Sequence, residues 1–471
     1  MHTKLLSLIR NLPVTVIGLG ISNLPLIDFL LDTGAHVTAR DKKPLSQLDP
    51  RAAALPEKGV RLILGDGYLE NINEGVIFRS PGLRPDLPEL VQAVGNGAVL
   101  TSEMELFLEL TPATVLGVTG SDGKSTTTTL TALMLEAECK KRGVGRVFVG
   151  GNLGTPLLPQ VGKMTEADFA VVELSSFQLQ TVNRSPKYAA LTNITPNHLN
   201  WHTDMEEYVR AKTNLFSHSP NQALVTNAEN EIALSLSHTY PGALTLFSSK
   251  KESHTALPLK AGDTAIYERN GTILFWDGKA ETPVLSTEDI LLPGRHNIEN
   301  YMTAYALCRP FVSVEAVGEI AKSFPGVPHR LERIRTHEGV TYYNSSIDSS
   351  PTRTAAALSA LKEKPIVICG GRDKGIPFEP LSDSLCARAK AVILTGEAAP
   401  KIWAVLRNTE AVQSGALPVW EESDFTKAVL LSRRIAREGD TVLLSPACTS
   451  FDAFKNFEER GDTFRRIVLS F

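Results

Sequence analysis

The sequence predicts an α/β protein of three domains, and three observations support that prediction. The chain has 471 residues, which at roughly 150 residues per domain corresponds to about three hydrophobic cores. Short apolar runs alternate with helical stretches along the chain, as they do in parallel sheets covered by helices. Two glycine-rich turns each follow a strand and precede a helix, an arrangement typical of phosphate binding. We expect domains over residues 1–110, 111–312 and 313–471.

The composition excludes several classes of protein. With 48 Lys and Arg against 52 Asp and Glu, the chain has no general attraction for a polyanion, so we expect no nucleic-acid partner. Five scattered cysteines without a CxxC pair favour a reducing compartment over a disulfide framework or a zinc cluster. There is no apolar run of about 18 residues and no cleavage site. We therefore expect a cytoplasmic monomer with no membrane partner.

The first predicted domain opens with a βαβ unit. A strand over Val14–Ile17 leads through the turn Gly18-Leu19-Gly20 into a helix, and a second strand ends at Asp41. Such glycines let the backbone approach a diphosphate, and an acid about 20 residues further on can bond a ribose or base. Asn23 replaces the third glycine of the dinucleotide fingerprint, so another diphosphate nucleotide is favoured over a redox cofactor. The alternative is a tight turn that binds nothing.

The second predicted domain opens with a stronger motif. A strand over Thr114–Val118 precedes Gly-x-x-Gly-Lys-Ser at Gly120–Ser125, and a helix that is predicted to end near Glu138 follows. In a loop of this type the backbone N–H groups face phosphate oxygens, Lys124 neutralises the β- and γ-phosphates, and the Ser125 hydroxyl can bind Mg²⁺. The motif predicts an ATP or GTP site, although its usual first glycine falls on Val118. A chance glycine turn is the alternative.

Three further residues suit a metal and phosphate site only when they are taken together. Glu173 ends an apolar strand that begins at Phe169, where a carboxylate can serve as an Mg²⁺ ligand. His198 follows another strand, and Lys212 lies on an amphipathic helix predicted over Met205–Phe216. Each alone would more often be an ordinary strand-end or surface group.

The remaining strand signals complete the outline. Thr264–Trp276, interrupted by Asn270-Gly271, predicts a β-hairpin insert. The third predicted domain has strand candidates at Thr341–Asn344, Ile366–Cys369, Ala391–Leu394 and Thr441–Leu444.

Taken in order, these motifs resemble those of the ATP-dependent Mur ligase family. That family has a TG-x-x-GK[ST] loop, a Glu in an E-x-SS-F-Q-L segment, a His after a strand and a carbamylated lysine. The matching segments here are Thr119–Ser125, Glu173–Leu179, His198 and Lys212. The C-terminal Leu444–Phe464, LSPACTSFDAFKNFEERGDTF, resembles the signature of the members that add D-glutamate. The resemblance covers essentially the whole chain.

The resemblance implies a fold and an activity. The expected fold is a Rossmann-like N-terminal domain, a P-loop ATPase-like central domain and a Rossmann-like C-terminal domain. The implied enzyme is an ATP-dependent acid–amino-acid ligase of cell wall synthesis. It would couple D-glutamate to UDP-N-acetylmuramoyl-L-alanine through an acyl phosphate, with ATP and one or two Mg²⁺ as cofactors.

The resemblance also implies the residues of each site. The implied catalytic residues are Lys124, Glu173, His198 and Lys212. The implied metal ligands are Ser125, Glu173, His198 and carbamylated Lys212. ATP would bind Gly120, Ser121, Asp122, Gly123, Lys124, Ser125, Thr126, Asn297, Asn300 and Arg330. The UDP-substrate would bind Gly18, Ile21, Ser22, Asp41, Lys43, Gly82 and Asn152. D-glutamate would bind Ser349, Lys374, Ser450 and Phe457.

One segment departs from the family pattern. Where the family usually reads AsnAspSerLysAlaThrAsn, this chain has NSSIDSS at residues 344–350, which places Ser345 at the family Asp and Ile347 at the family Lys. We hypothesise that Asp348 takes part of the lost acidic role in binding ATP.

Two other functions remain open at this stage. Another Mur or folylpolyglutamate-type ligase would share the ATP domain but would need neither the uridine site nor the C-terminal signature. A P-loop module that binds ATP as a switch would leave Glu173, His198 and Lys212 without a shared purpose.

Overall fold

We describe the protein from a computed structural model, which covers residues 4–20, 22–199, 201–373 and 375–471. These residues form two compact units, Met1–Asp289 with Ile298–Ile320, and Ile290–Asn297 with Ala321–Phe471. The predicted α/β class is confirmed in both units. The predicted domain boundaries at residues 110 and 312 stay predictions.

The N-terminal sheet of the first unit is wholly parallel. Its strands are β1 (Val14–Ile17), β2 (Val37–Asp41), β3 (Arg61–Leu64), β4 (Val76–Arg79) and β5 (Val99–Thr101), in the order β3-β2-β1-β4-β5. The helices are α1 (Lys4–Asn11), α2 (Asn23–Asp32), α3 (Pro88–Gly95) and α4 (Glu103–Leu110). The chain switches sides of the sheet between β1 and β4, and such a switch point opens a crevice at the carboxyl ends of the strands.

The central sheet of the first unit has nine strands among the described residues. They are β6 (Thr114–Thr119), β7 (Val147–Gly151), β8 (Phe169–Glu173), β9 (Tyr188–Leu191), β10 (Ala223–Asn227), β11 (Ala243–Ser248), β12 (Thr264–Arg269), β13 (Thr272–Trp276) and β14 (Glu281–Ser286), in the order β14-β13-β12-β11-β10-β9-β6-β8-β7. The next helices in the chain are α5 (Lys124–Arg142), α6 (Ser176–Leu179), α7 (Met205–Thr213), α8 (Glu231–Ser237), α9 (Arg295–Cys308) and α10 (Val314–Ser323).

The predicted hairpin is confirmed as the antiparallel pair β12–β13. It is not a separate insert, because β12 pairs in parallel with β11 and β14 adds a third antiparallel strand. The N-terminal and central sheets share one continuous hydrophobic core, to which Phe107 of α4 and Leu158 of the central part both belong. These two parts of the chain therefore have a common interior.

The second unit contains a six-stranded sheet. Its strands are β15 (Glu332–His337), β16 (Val340–Asn344), β17 (Ile366–Gly370), β18 (Ala391–Thr395), β19 (Val419–Glu421) and β20 (Thr441–Leu444), in the order β15-β16-β20-β17-β18-β19. Only β15 is antiparallel to its neighbour. The helices are α11 (Pro351–Ala360), α12 (Glu379–Arg388), α13 (Ala399–Leu406), α14 (Glu410–Gln413), α15 (Phe425–Ile435) and α16 (Phe457–Leu469). Within the described ranges, no helix is both long and apolar enough to cross a membrane.

Candidate active site

The glycine loop of the central sheet has the geometry of a phosphate cradle. It joins β6 to α5, and Gly120 has φ +150°, with Thr192 Oγ1 1.9 Å from where a Cβ atom would stand. Gly123 has φ +80° and would place a Cβ 2.5 Å from Asn300 Oδ1. Neither position can hold a side chain without displacing its neighbours. The glycines therefore allow a backbone path that leads directly into the N-terminus of α5, where an anion is favoured.

The side chain of Lys124 folds back onto the backbone of the glycine loop. Lys124 Nζ donates to Gly120 O and Ser121 O, both at 2.9 Å. Ser125 and Thr126 are buried in the first turn of α5. Asp122 N donates to Asn193 Oδ1 at 2.9 Å. The predicted loop residues are thus assembled in the order that a P-loop requires.

Glu173 brings a buried carboxylate to the end of β8. Its Oε1 accepts from Asn152 Nδ2 at 2.8 Å, whereas its buried Oε2 has no partner among the described residues. A buried polar atom of this kind is costly unless a ligand completes it. The free oxygen fits a divalent cation, which prefers oxygen ligands.

Lys212 is buried beside the same loop. Its Nζ donates to Gly120 O at 2.7 Å and to Thr119 Oγ1 at 3.5 Å. Burial lowers the pKa of Lys212 well below its usual value, and the charge of Lys124 lowers it further, while the charges of Asp122 and Glu173 act in the opposite direction. Lys212 thus brings a second amine, next to that of Lys124, to the glycine loop.

His198 lies on an exposed left-handed turn with φ +57°. Its ring packs edge-on against Phe177, with the ring centroids 4.9 Å apart. Phe177 belongs to the segment that begins at Glu173, so the turn brings His198 to that segment. No group of three or more His, Cys, Asp or Glu side chains suited to a metal occurs within the described ranges. Any magnesium here would take much of its coordination from phosphate oxygens and water, which is its usual behaviour.

The predicted adenine and phosphate contacts fall in both units. In the first unit, buried Asn300 accepts from Thr127 Oγ1 of α5 at 3.3 Å. In the second unit, Asn297 Nδ2 donates to Pro293 O at 2.7 Å, and Arg330 is half-buried. The roles of Asn297 and Arg330 toward ATP stay predictions.

The predicted uridine site forms the first turn of the N-terminal sheet. Asp41 accepts from Leu19 N at 2.7 Å and from Lys43 N at 2.8 Å, so both carboxylate oxygens hold the backbone around the turn. Asn23 Nδ2 donates to Gly18 O at 2.8 Å, which explains why asparagine suits the position of the third glycine. Ser22 precedes α2 and is half-buried. Ile21 lies outside the described residues.

Two more predicted substrate residues lie in the loops that follow β4 and β7. Gly82 is exposed in the loop after β4, at the switch point of the N-terminal sheet. Asn152 follows β7 and bonds Glu173 through its backbone as well, with Asn152 N donating to Glu173 O at 2.8 Å. A residue predicted to bind substrate therefore touches the predicted metal carboxylate directly.

Two of the predicted D-glutamate residues lie on loops of the second unit. Ser349 follows β16 and buried Ser450 follows β20. Arg460 connects these loops, because its guanidinium donates to Ser346 O at 2.9 Å and to Thr449 O at 3.1 Å. Phe457 begins the helix that carries Arg460. Lys374 lies outside the described residues.

Asp348 is buried in the same unit. Its Oδ2 accepts from Ser445 Oγ at 2.8 Å, and burial raises the pKa of Asp348 to about 6 although Ser345, Ser445, Arg330 and Arg353 act against that rise. The carboxyl group therefore holds residues 344–350, the segment that differs from the family pattern, against the end of β20. Its role toward ATP stays a prediction.

Sequence reasoning missed several residues that shape the site. Ser121 Oγ lies 2.9 Å from Tyr208 OH, and Thr192 Oγ1 donates to Asp122 O at 2.5 Å. His202 is buried with Nε2 2.8 Å from Ser176 Oγ. These contacts join segments far apart in sequence. The only local signal was that Thr192 and His202 flank the stretch that contains His198.

Comparisons with known proteins identify the family of the chain. Three family models match the chain: Mur ligase MurD-like, N-terminal domain, over residues 13–102; Mur ligase middle domain over 118–308; and Mur ligase, glutamate ligase domain, over 329–448. The chain is also 43% identical over 464 residues to the UDP-N-acetylmuramoylalanine–D-glutamate ligase of Ruminiclostridium cellulolyticum, with 98% of this chain and 97% of that protein covered. The chain therefore belongs to the Mur ligase family and is an ATP-dependent ligase.

Other relatives carry the same name. Similar ligases from Clostridium beijerinckii and Acetivibrio thermocellus are 45% and 42% identical, and cover 97% and 100% of this chain and 96% and 99% of their own length. Solved structures share the fold at lower identity. UDP-N-acetylmuramate–alanine ligase MurC from Thermotoga maritima has a TM-score of 0.55 at 19% identity, covering 98% of this chain and 99% of its own. E. coli FolC in complex with ADP has a TM-score of 0.53 at 16% identity, and the match covers 78% of this chain and 92% of that chain.

Proposed function

We propose that the protein joins D-glutamate to UDP-N-acetylmuramoyl-L-alanine in peptidoglycan precursor synthesis and converts ATP to ADP and phosphate. The observation that supports this most strongly is the 42–45% identity, over nearly the whole chain, to ligases named for that reaction. The C-terminal signature at Leu444–Phe464 agrees with the choice of amino acid.

The first step activates the acceptor carboxylate. A carboxylate oxygen of the UDP-substrate attacks the γ-phosphorus of ATP, the bond to the bridging oxygen breaks, and ADP leaves. Such a transfer depends on positioning and on neutralising the phosphate charge. Lys124 supplies one positive charge at the loop, and the N-terminus of α5 supplies N–H donors.

The residues present fit a magnesium ion. We assign Ser125, Glu173 and His198 to hold it, together with Lys212, because the buried Glu173 Oε2 atom has no partner in the described part of the chain. When bound, Mg²⁺ would neutralise the charge on the β- and γ-phosphates. An ammonium group at Lys212 would repel the cation, whereas a carbamate there would present a carboxylate-like group. We therefore retain carbamylation of Lys212 in the proposal.

The second step forms the amide. The amine of D-glutamate, having lost a proton, attacks the acyl carbon through a tetrahedral intermediate, and the bond to phosphate breaks. Ser349, Ser450 and Phe457, with Lys374, are the residues we assign to D-glutamate. The loops that carry Ser349 and Ser450 are tied together by Arg460, which supports a preorganised amino-acid site.

A phosphate-release assay tests the proposal. The purified protein with MgATP should release phosphate steadily only when UDP-N-acetylmuramoyl-L-alanine and D-glutamate are both present. Omitting either substrate should abolish steady release. Steady release with a folate substrate and glutamate instead would support a folylpolyglutamate-type ligase. ATP binding without turnover on any pair would support a switch.

The cellular compartment and the oligomeric state of the protein are also proposals. We place it in the cytoplasm, which the free thiols of Cys139, Cys308, Cys369 and Cys386 support. We expect a monomer, which light scattering of the purified protein would test.

A further inference from the structure

Two arginines flank the loop that follows β4 and contains Gly82. Arg79 is the last residue of β4, and Arg84 lies just beyond the loop. Both side chains leave the N-terminal sheet and bond segments of the central part that lie about a hundred residues further along the chain. The two connections do not use any residue assigned above to a ligand.

Arg79 is a fully buried cation with 1% of its surface exposed. One terminal nitrogen, Nη1, donates to the loop carbonyls of Ser80, Pro81 and Leu83. The other, Nη2, donates to Phe177 O at 2.9 Å and to Thr181 Oγ1 at 3.2 Å. The guanidinium therefore fixes the loop to the segment that follows Glu173.

The cost of burying Arg79 is not offset by an ion pair. No carboxylate lies within salt-bridge distance of it in the part of the chain that the structure describes, and its Nε atom has no hydrogen-bond partner there. A buried charge without a counter-ion is expensive. A leucine or methionine would pack at less cost, so the hydrogen bonds that Arg79 makes account for its presence.

Arg84 provides a second attachment on the other side of the loop. Its guanidinium donates to Trp201 O and lies 5.1 Å from the Trp201 ring centroid. It also donates to Glu207 Oε2 at 3.3 Å, and Glu207 is buried on α7. Trp201 follows His198 closely, and α7 carries Lys212. Arg84 therefore connects the loop to the segments that hold the remaining metal candidates.

We propose that Arg79 and Arg84 are positioning residues that clamp the Gly82 loop to the Glu173, His198 and Lys212 segments. The clamp fixes the acceptor carboxylate of the UDP-substrate relative to the terminal phosphate of ATP. This inference rests on the proposed function. It assigns the clamp to the first chemical step, formation of the acyl phosphate, and not to binding of the uridine end, which the turn at Gly18 and Asp41 would hold.

A single-turnover experiment tests the clamp. Arg79→Lys keeps the charge but loses the planar fork of donors, and Arg84→Gln removes a charge at a partly exposed position. MgATP and saturating UDP-N-acetylmuramoyl-L-alanine are mixed with enzyme without D-glutamate, and ADP formation is followed by rapid quench. A misplacement of about 1 Å costs on the order of a hundredfold, so each variant should form ADP at least about tenfold more slowly.

Two further measurements separate positioning from simple loss of structure. Calorimetry should give a dissociation constant for UDP-N-acetylmuramoyl-L-alanine within about threefold of the unaltered protein, because the uridine contacts are intact. Arg40→Lys is the matched control. Arg40 is similarly buried, but among the described residues its guanidinium bonds only residues of the N-terminal part, namely Thr15, Tyr68, Glu70, Asn71 and Glu74. It should lower the urea midpoint without slowing ADP formation.

The outcomes are distinct. Slow ADP formation with preserved binding in both Arg79→Lys and Arg84→Gln supports the clamp, and Arg84→Gln alone decides should Arg79→Lys fail to fold. ADP formation at the unaltered rate in Arg84→Gln, or equal slowing in Arg40→Lys, overturns it. Failure of the unaltered protein to form ADP at all would overturn the proposed function and the clamp built on it.

Discussion

Replacing Glu103 by glutamine should stabilise the protein at high pH. The Glu103 carboxyl group is buried at the start of α4, and its Oε1 accepts from Leu158 N at 3.3 Å. Burial raises the pKa of Glu103 from 4.5 to about 7, although the bond from Leu158 acts against the rise. Between these two values the folded protein keeps a proton that the unfolded chain releases. Stability therefore falls as the pH rises from about 4.5 to about 7.

The size of the effect follows from these two pKa values. A difference of about 2.5 units corresponds to about 3 kcal/mol lost once the pH is above both values. At pH 5.5 the loss is about 1.4 kcal/mol, because this pH is only about one pH unit above the pKa of 4.5 that Glu103 has in the unfolded chain. Glutamine keeps the acceptor oxygen for Leu158 N and has no proton to lose. The gain from Glu103→Gln should therefore be larger at pH 8 than at pH 5.5 by about 2 kcal/mol.

Urea unfolding followed by tryptophan fluorescence at both pH values measures this difference. Glu57→Gln is the control, since Glu57 is exposed and its loss should shift neither midpoint. The reasoning would be refuted by a Glu103→Gln variant whose gain is the same at pH 5.5 and pH 8, or by one that is destabilised at pH 8.

Two further substitutions test the nucleotide site. Lys124→Ala should abolish ADP formation while leaving the calorimetric affinity for UDP-N-acetylmuramoyl-L-alanine within about threefold, because the loop cation serves ATP alone. Lys140→Ala, exposed at the far end of α5, should change neither, and equal loss of both would count against the assignment. Asp348→Asn should weaken ATP binding by about tenfold at pH 8, with the difference shrinking at pH 5, below its pKa of about 6. Asp383→Asn is the control and should leave the ATP affinity unchanged, since Asp383 is exposed. An equally unchanged ATP affinity in Asp348→Asn would refute the hypothesis that Asp348 takes part of the lost acidic role.

Much of the fold could be predicted because buried parallel strands leave a clear apolar signal. β8 begins and ends where the sequence predicts, at Phe169 and Glu173. β15 was missed because its sequence ERIRTH is polar, as befits an edge strand with partly exposed side chains. The prediction that α5 ends near Glu138 was wrong by one turn. The helix continues to Arg142, since Lys140, Lys141 and Arg142 complement its C-terminal dipole and Gly143 supplies a left-handed cap.

The residues of the candidate site also fall into those that the sequence predicts and those that it does not. The glycine loop and Glu173 were predictable because their function depends on a local arrangement of strand, turn and helix. Arg79 was not, because nothing in its neighbourhood marks it: it ends an apolar strand and is bonded to Thr181, 102 residues away. Long-range hydrogen bonds of this kind leave no periodic pattern in a sequence.

Three buried ionisable side chains of the first unit lie in or next to the candidate nucleotide site. A carboxylate oxygen at Glu173 with no hydrogen-bond partner among the described residues, a buried amine at Lys212 and a buried cation at Arg79 each oppose folding by themselves. An unsatisfied buried polar atom such as Glu173 Oε2 costs about 1–3 kcal/mol. Glu173 ends β8, which pairs with β6, Lys212 lies on α7 with its Nζ 2.7 Å from Gly120 O, and Arg79 ends β4 and bonds the segment that follows Glu173. Polar groups gathered in this way act as preorganised partners for a charged substrate, because they need not reorganise when the substrate arrives. The destabilisation is therefore concentrated where a highly anionic nucleotide and a carboxylate would bind.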